Sequence, residues 1–381
     1  MNTKYIYNIS ICVMVFFLLI GCTSERGNKS SLIQINLTVS YPEKEIKLED
    51  VAEIEYLQLE VTEGFLFNQA PQIVTADKII ISQNILGDVL IFSRNGKPVS
   101  KFNRKGNGPG EYVYIRTLLF DEISDEIFIE SDDKIMVYSS SGTFKRMIHL
   151  AGRTNNICSQ FVNYDPETLL LYDDCNLHPS PFVFISKKDG SVVDSIKVPK
   201  GKEVDLVASS QDGSFVRFST INRIVKHNDG YLLTDFSIDT VYLLSHHRKL
   251  SPVLVRKPKI QSMDPVVYLN SFMEAGNYEF VSAVTVKDEN GKLPKKYLMR
   301  DKKTGSVYRQ KITFNDYKGK EVNLSPETIA NTQDSKLGLI VLSLTELQDA
   351  NKENRISGRL KELVEKSDED GNNIFMLLHF K

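Results

Sequence analysis

The chain has 381 residues, enough for one large or two medium domains. Its hydrophobic share of 41% and charged share of 25% are ordinary for a soluble globular protein. With 47 basic and 49 acidic residues the formal net charge is −2, which offers no electrostatic footprint for nucleic acid. Phe and Tyr are plentiful, at 20 and 16, and Trp is absent; many aromatic and β-branched residues suit strands.

Residues 7–21 are almost entirely apolar, and Lys4 supplies a positive charge ahead of them. The run is short for a membrane span of about 20 residues but suits the hydrophobic region of a signal peptide. It stops at Leu19-Ile20-Gly21-Cys22, which resembles the lipobox of bacterial lipoproteins. That resemblance implies that Cys22 is acylated through its thiol and becomes the mature N-terminus. Residues 1–21 are then a lipoprotein signal peptide. Residues 22–31, polar from Ser24 to Ser31, form a tether, and residues 32–381 form the folded domain. The expected partner is a membrane, reached through the N-terminal lipid. The expected location is the cell envelope outside the cytoplasm, on the periplasmic face or the cell surface. The bland alternative is an ordinary secretory signal with a chance Cys.

Downstream, one pattern recurs: an apolar run, a short polar turn that often holds Gly, and a second run. Val89–Phe102 is the clearest copy, and Ile135–Phe144 repeats it about 46 residues later. Phe182–Val193, Val241–Leu250 (without Gly) and Tyr297–Tyr308 follow, and Ile374–Phe380 is the front half of a sixth. Each copy is preceded by another strand-like run, respectively at Lys78–Ser82, Glu126–Glu130, Thr168–Tyr172, Gly230–Thr234, Tyr278–Ser282 and Leu337–Val341. Strand, turn, strand, turn and strand at this spacing make a four-stranded blade. A blade cannot bury both faces alone, so several must stack round an axis. The sixth copy lacks its outer strand. Two N-terminal runs, Leu32–Leu37 and Ile54–Leu59, are free to pair there and close the ring, which removes an open sheet edge. The expected fold is all-β: a six-bladed β-propeller closed by an N-terminal strand. A β-sandwich or two smaller β-domains is the alternative.

Two stretches break the β pattern. Ser325-Pro-Glu-Thr328 reads as a short helix start with Pro in its first turn. Arg355–Lys366 carries Ile356, Leu360, Leu363 and Val364 at helical spacing and reads as a helical insert in the last blade.

The stretch Ile91-Phe-Ser-Arg-Asn-Gly-Lys-Pro and the run Phe102-Asn-Arg-Lys-Gly-Asn-Gly-Pro-Gly-Glu-Tyr112 together resemble the first-blade signature of six-bladed β-propeller lipoproteins common in Bacteroidetes. These are relatives of NHL-repeat and TolB-like propellers. Ile54–Leu59 resembles their opening strand and Asp370–Lys381 their closing one. The likeness implies fold and location and carries over no catalytic set.

Within Arg104–Tyr112, three glycines permit tight turns and Pro109 stiffens them. One reading places Arg104, Lys105, Asn107, Glu111 and Tyr112 on a ligand-facing rim; the other makes the motif an inter-blade crossover. A phosphate loop is excluded by its spacing and by the donor that Pro109 removes. Cys158 and Cys175 flank Asp165-Pro-Glu-Thr168. A two-residue loop at Pro166–Glu167 pairs Asp165 with Thr168 and carries the register out to face the two cysteines, a possible disulfide in an oxidising compartment. The six histidines, at 149, 178, 227, 246, 247 and 379, show no metal-ligand spacing, and Asp368–Gly371 lacks the later Glu of a calcium loop. Asp132-Asp133 and Asp173-Asp174 read as strand-end turns, and no nucleophile elbow appears. No cofactor is implied.

The function expected from these features is that of an envelope-anchored binder of a protein or carbohydrate ligand, with its site at a mouth of the central channel. Alternatives are an enzyme, such as a lyase or hydrolase with a metal or polar site at the channel, and a scaffold subunit of an envelope assembly. Convergence of polar side chains at the channel mouth separates the first two. An apolar patch on a blade edge marks the third.

Overall fold

Three four-stranded sheets, one of five strands, one of six and one of three form the six blades of a β-propeller. The computed structural model of the chain describes residues 32–150, 160–173, 179–199, 207–209, 215–217, 222–287, 293–368 and 371–381. Blade I holds Ile73–Val74, Lys78–Gln83, Asp88–Ser93 and Pro98–Asn103. Blade II holds Thr117–Asp121, Glu126–Ser131, Lys134–Ser139 and Phe144–His149, and blade III holds Gln160–Asn163, Thr168–Tyr172, Phe182–Ser186 and Val192–Ile196. Blade IV is Ile224–His227, Gly230–Leu233, Thr240–Ser245 and Leu250–Lys257; blade V is Val267–Ala275, Tyr278–Thr285, Lys295–Asp301 and Val307–Thr313. Blade VI is Leu337–Leu342, Ile374–Phe380 and Ala52–Leu57. A small hairpin, Val207–Ser209 with Phe215–Arg217, lies between blades III and IV in sequence.

Burial explains the strand patterns. The second strand of blade II, Glu126–Ser131, is buried at every position, because neighbouring blades cover both its faces. Such strands read as continuous apolar runs rather than alternating ones. The outer strand Phe144–His149 is mostly exposed. Apolar side chains meet as wedges between blades. Ile80, Ile91, Tyr112, Ile127 and Tyr138 fill the wedge between I and II, and Leu57, Ile79, Phe92, Leu337 and Phe375 that between VI and I. The largest cluster joins blades IV, V and VI to the N-terminal segment.

That segment visits three blades in turn. Ile33–Asn36 pairs in parallel with Leu250–Lys257 as a fifth strand of blade IV. Glu43–Lys47 pairs in parallel with Val307–Thr313 of blade V. After a short helix, Leu48–Val51, the strand Ala52–Leu57 pairs antiparallel with Ile374–Phe380, Phe375 opposite Leu57 and Phe380 opposite Ala52. Of the two runs free to close the ring, the one around Ile54–Leu59 does so, and the one at Leu32–Leu37 edges blade IV. The junction is tied where Lys381 N–H donates to the Val51 carbonyl at 3.0 Å.

Blade VI is unlike the others. The hydrogen bond from Phe380 N–H to the Lys336 carbonyl matches that from Arg94 N–H to Asp77 in blade I. Leu337–Leu342 is therefore the counterpart of a second strand. Its first strand is missing, and residues 323–336 run in its place, with a 3-10 turn at Pro326–Ile329. The expected helix start at Ser325 is this turn; Ser325 N–H donates to Thr328 Oγ1 at 3.1 Å. The helical insert is Gly358–Lys366, preceded by a second helix, Leu344–Lys352, that the spacing did not reveal.

One expected register differs. In blade III Gln160 pairs with Tyr172 and Asn163 with Leu169, one residue off the register of a two-residue loop at Pro166–Glu167. The Asp165 side chain accepts the N–H groups of Glu167 and Thr168 at 3.0 and 2.7 Å and so widens the turn. Cys158, Cys175, His178 and Cys22 lie outside the described residues.

Candidate functional site in the central channel

The first strands of blades II, III and IV present their ends to the central channel. Residues 323–336 cross it. Asn331 accepts the N–H of Val74 at 2.9 Å and donates from its side chain to the Pro71 carbonyl at 2.9 Å, holding blade I. Ser335 Oγ donates to Asn228 of blade IV at 2.8 Å. Blades I and IV face each other in a ring of six, so the segment is a diagonal strap. Between it and blades II to IV lies a cavity of about 310 Å³.

Its walls mix apolar side chains, among them Leu119, Val162, Ile224, Pro326 and Ile329, with polar ones. The polar groups come from the first strands and the strap. Gln160 acts as a rung between blades III and IV: its Oε1 accepts Arg223 and Ile224 N–H at 2.8 and 3.0 Å, and its Nε2 donates to the Ile224 carbonyl at 2.8 Å. Asn163 Nδ2 donates to the Phe120 carbonyl at 3.0 Å, while its buried Oδ1 has no partner. Gln333, at φ +53° on the strap, leaves its buried Nε2 without a partner. Lys226 stands with Nζ 3.4 Å from Tyr231 Oη and 4.5 Å from the centre of its ring. Burial holds the Lys226 ammonium below the ordinary lysine range, against the opposing pull of the Asp334 carboxylate. Asp121 is engaged elsewhere: Lys187 reaches it at 2.8 Å, and both side chains are under one-tenth exposed. Desolvation pushes the Asp121 carboxyl up, but the Lys187 ammonium and further hydrogen bonds outweigh it and hold the group below the ordinary range.

Nearby, just ahead of the strand that carries Lys226, the buried Arg223 guanidinium lies between two rings, 3.7 Å from the centre of Phe236 and 4.6 Å from that of Tyr172. The Tyr172 hydroxyl donates to Asp235 at 2.5 Å.

The residues of the sequence-derived rim sit together in the crossover from blade I to blade II, and none lines the cavity. Tyr112 is fully buried; its hydroxyl donates to the Gly87 carbonyl at 2.6 Å and accepts Arg104 N–H at 3.0 Å. Arg104 Nε donates to the Gly142 carbonyl of blade II at 3.0 Å. Lys105 Nζ reaches the Ile85 carbonyl at 2.6 Å, and Glu111 accepts Gly108 N–H at 2.8 Å. Asn107 is exposed. These bonds turn most of the motif's polar groups back onto the fold. Asp132 and Asp133 form the expected strand-end turn, where Asp132 accepts the Tyr114 hydroxyl at 2.9 Å. Among the described residues no group of three His, Cys, Asp or Glu side chains is placed to hold a metal.

The cavity residues themselves carry a faint sequence signal. Asp121, Asn163 and Lys226 each stand at or near the end of a first strand, just ahead of the apolar run that marks the second. The first strands of blades III and IV have four residues each and are only partly buried, so periodicity does not single them out.

The fold and this strapped channel define a six-bladed β-propeller with a ligand-sized cavity on its axis. The chain belongs to DUF4934, a family described as a domain of unknown function, whose pattern matches residues 32–379. No curated protein matches the sequence. A candidate exported protein from Bacteroides fragilis is similar in structure, with 17% identity, a TM-score of 0.61, and coverage of 92% of this chain and 100% of its own. A member of the DUF4221 family from Bacteroides vulgatus shows 12% identity and a TM-score of 0.49 over 87% of this chain and 98% of its own. At such identities the likeness is one of fold.

Proposed function

We propose that this protein is a ligand-binding propeller held outside the cytoplasm, on the periplasmic face or the cell surface, by a lipid on Cys22, with the channel cavity as its binding site. The cavity itself carries the reading. A space of about 310 Å³, walled by apolar and polar side chains together, has the size of a small-molecule site. The placement outside the cytoplasm draws on the apolar N-terminal run that ends at Cys22 and on the resemblance to propeller lipoproteins. The description of the Bacteroides fragilis protein as exported agrees with it. The ligand comes from the envelope or its surroundings.

The test is thermal denaturation of the full chain, in detergent, against divalent metals, oligosaccharides, peptides and small organic acids. A ligand at a hundred times its Kd adds about 2.7 kcal/mol. Ala330 is an exposed residue on the cavity wall, so Ala330→Phe fills the space without opening the core. The stabilisation is expected to vanish in that variant. Stabilisation that survives it moves the site away from the channel. For the anchor, Cys22→Ala is expected to shift the protein from the membrane to the soluble fraction, and equal membrane retention of both forms argues against acylation.

A further inference from the structure

The polar groups of the cavity are not balanced. Lys226 brings a positive charge, and among the described residues no carboxylate pairs with it; Asp334, whose charge it feels, is exposed on the strap. The other acids on the wall do not supply the missing charge. Asp121 is neutralised by Lys187 at 2.8 Å and also accepts Ile123 N–H at 3.1 Å, and Glu122 is exposed. A half-buried cation on the cavity wall, with only the Tyr231 hydroxyl at 3.4 Å beside it, favours an anion.

We propose that the cavity takes a small monocarboxylate, its carboxylate held by Lys226 and its apolar body against Val162, Pro326 and Ile329. This rests on the reading of the channel as the binding site and names the chemical class of its ligand. A phosphate would place more charge and more acceptor oxygens in the cavity than one ammonium can satisfy. A volume of about 310 Å³ lies at the small end of the range for small-molecule sites.

The probes are phenylacetate, 3-phenylpropionate and hexanoate, each beside its primary amide. They are titrated calorimetrically into the full chain at neutral pH. At least one acid is expected to bind tenfold or more tightly than its amide. Lys226→Met should bring that acid down to the level of its amide. As pH rises through the lowered pKa of Lys226, acid affinity should fall and amide affinity should not. Circular dichroism and melting of Lys226→Met confirm that it folds. If amides bind as well as acids, or if Lys226→Met leaves the preference intact, the carboxylate assignment is wrong and the cavity still binds. Binding of neither series overturns the assignment, and if Ala330→Phe also abolishes no stabilisation by any compound, the channel reading falls with it.

Discussion

At the scale of single residues, the turn between third and fourth strands shows why the repeat carries a glycine. Gly190 has φ +80°, and a Cβ there would lie 2.4 Å from the backbone oxygen of His149 in the preceding blade. The outer strands of blades VI, I and II run against this turn in the blade that follows, at Gly96, Gly142 and Gly190, so there the turn must be left-handed and bare. Gly305, at φ +74°, has only the tip of Arg300 at 3.6 Å. In blade IV, where the repeat lacks its glycine, Arg248 takes φ +58°, lies over the Phe184 ring at 4.2 Å and pairs with Asp165 at 3.4 Å. A left-handed non-glycine residue costs roughly 1–2 kcal/mol, and overpacking adds about 1–3. Gly190→Ala is therefore expected to destabilise by about 2–5 kcal/mol and Gly305→Ala by only about 1–2, compared by denaturant unfolding. Equal losses at the two positions would show that inter-blade contact is not what selects the glycine.

At the scale of elements, the N-terminal segment covers edges that the repeats leave open. Parallel pairing with blades IV and V satisfies backbone groups along their outer strands. Ile33, Ile35 and Ile46 seal it into the largest core cluster. Ile35 is fully buried, so Ile35→Ala should cost about 2–5 kcal/mol. Val39 in the same segment is 46% exposed, and Val39→Ala should stay within about 0.5 kcal/mol. The measurement is the shift in denaturation midpoint. A small loss at Ile35 would mean that the fifth strand is an ornament on a ring that is stable without it.

At the scale of the whole molecule, carboxylates clamp neighbouring blades. Glu55 of the closing strand meets Arg94 of blade I at 2.9 and 2.8 Å and His379 at 2.9 Å. Burial pushes its carboxyl up, but His379 and Arg94 prevail and hold it below the ordinary range. Glu126 is lowered chiefly by Arg146, which joins it at 2.7 Å and reaches the Lys187 carbonyl of blade III at 2.8 Å. A carboxylate lowered on folding stabilises fully above its unfolded pKa, and that help fades as pH falls through the folded value. Stability should thus be level near neutrality and decline from about pH 4 downward. The Glu55→Gln variant should show a shallower decline in an acid titration followed by near-ultraviolet circular dichroism. An unchanged slope would remove Glu55 from the clamp.

Much of the architecture was legible from the residues alone. The second and third strands are covered on both faces, so Lys78–Gln83 and Asp88–Ser93 announce themselves as apolar runs around a turn, and six such pairs mark six blades. Ile54–Leu59 was visible as a spare strand because the last repeat lacked one, and the helix within Arg355–Lys366 followed from its apolar spacing. The tertiary structure alone decided the rest. Parallel pairing of Ile33–Asn36 with blade IV spans over two hundred residues and leaves no local turn to read. The register at Asp165 turned on one side chain folding back onto its own backbone. The cavity draws Asn163, Lys226 and Gln333 from three distant places, the ends of short inner strands and a strap that replaces one. Local periodicity reports which faces of an element are dry, whereas a site on the axis depends on how separate elements converge, and that convergence is a property of the closed ring.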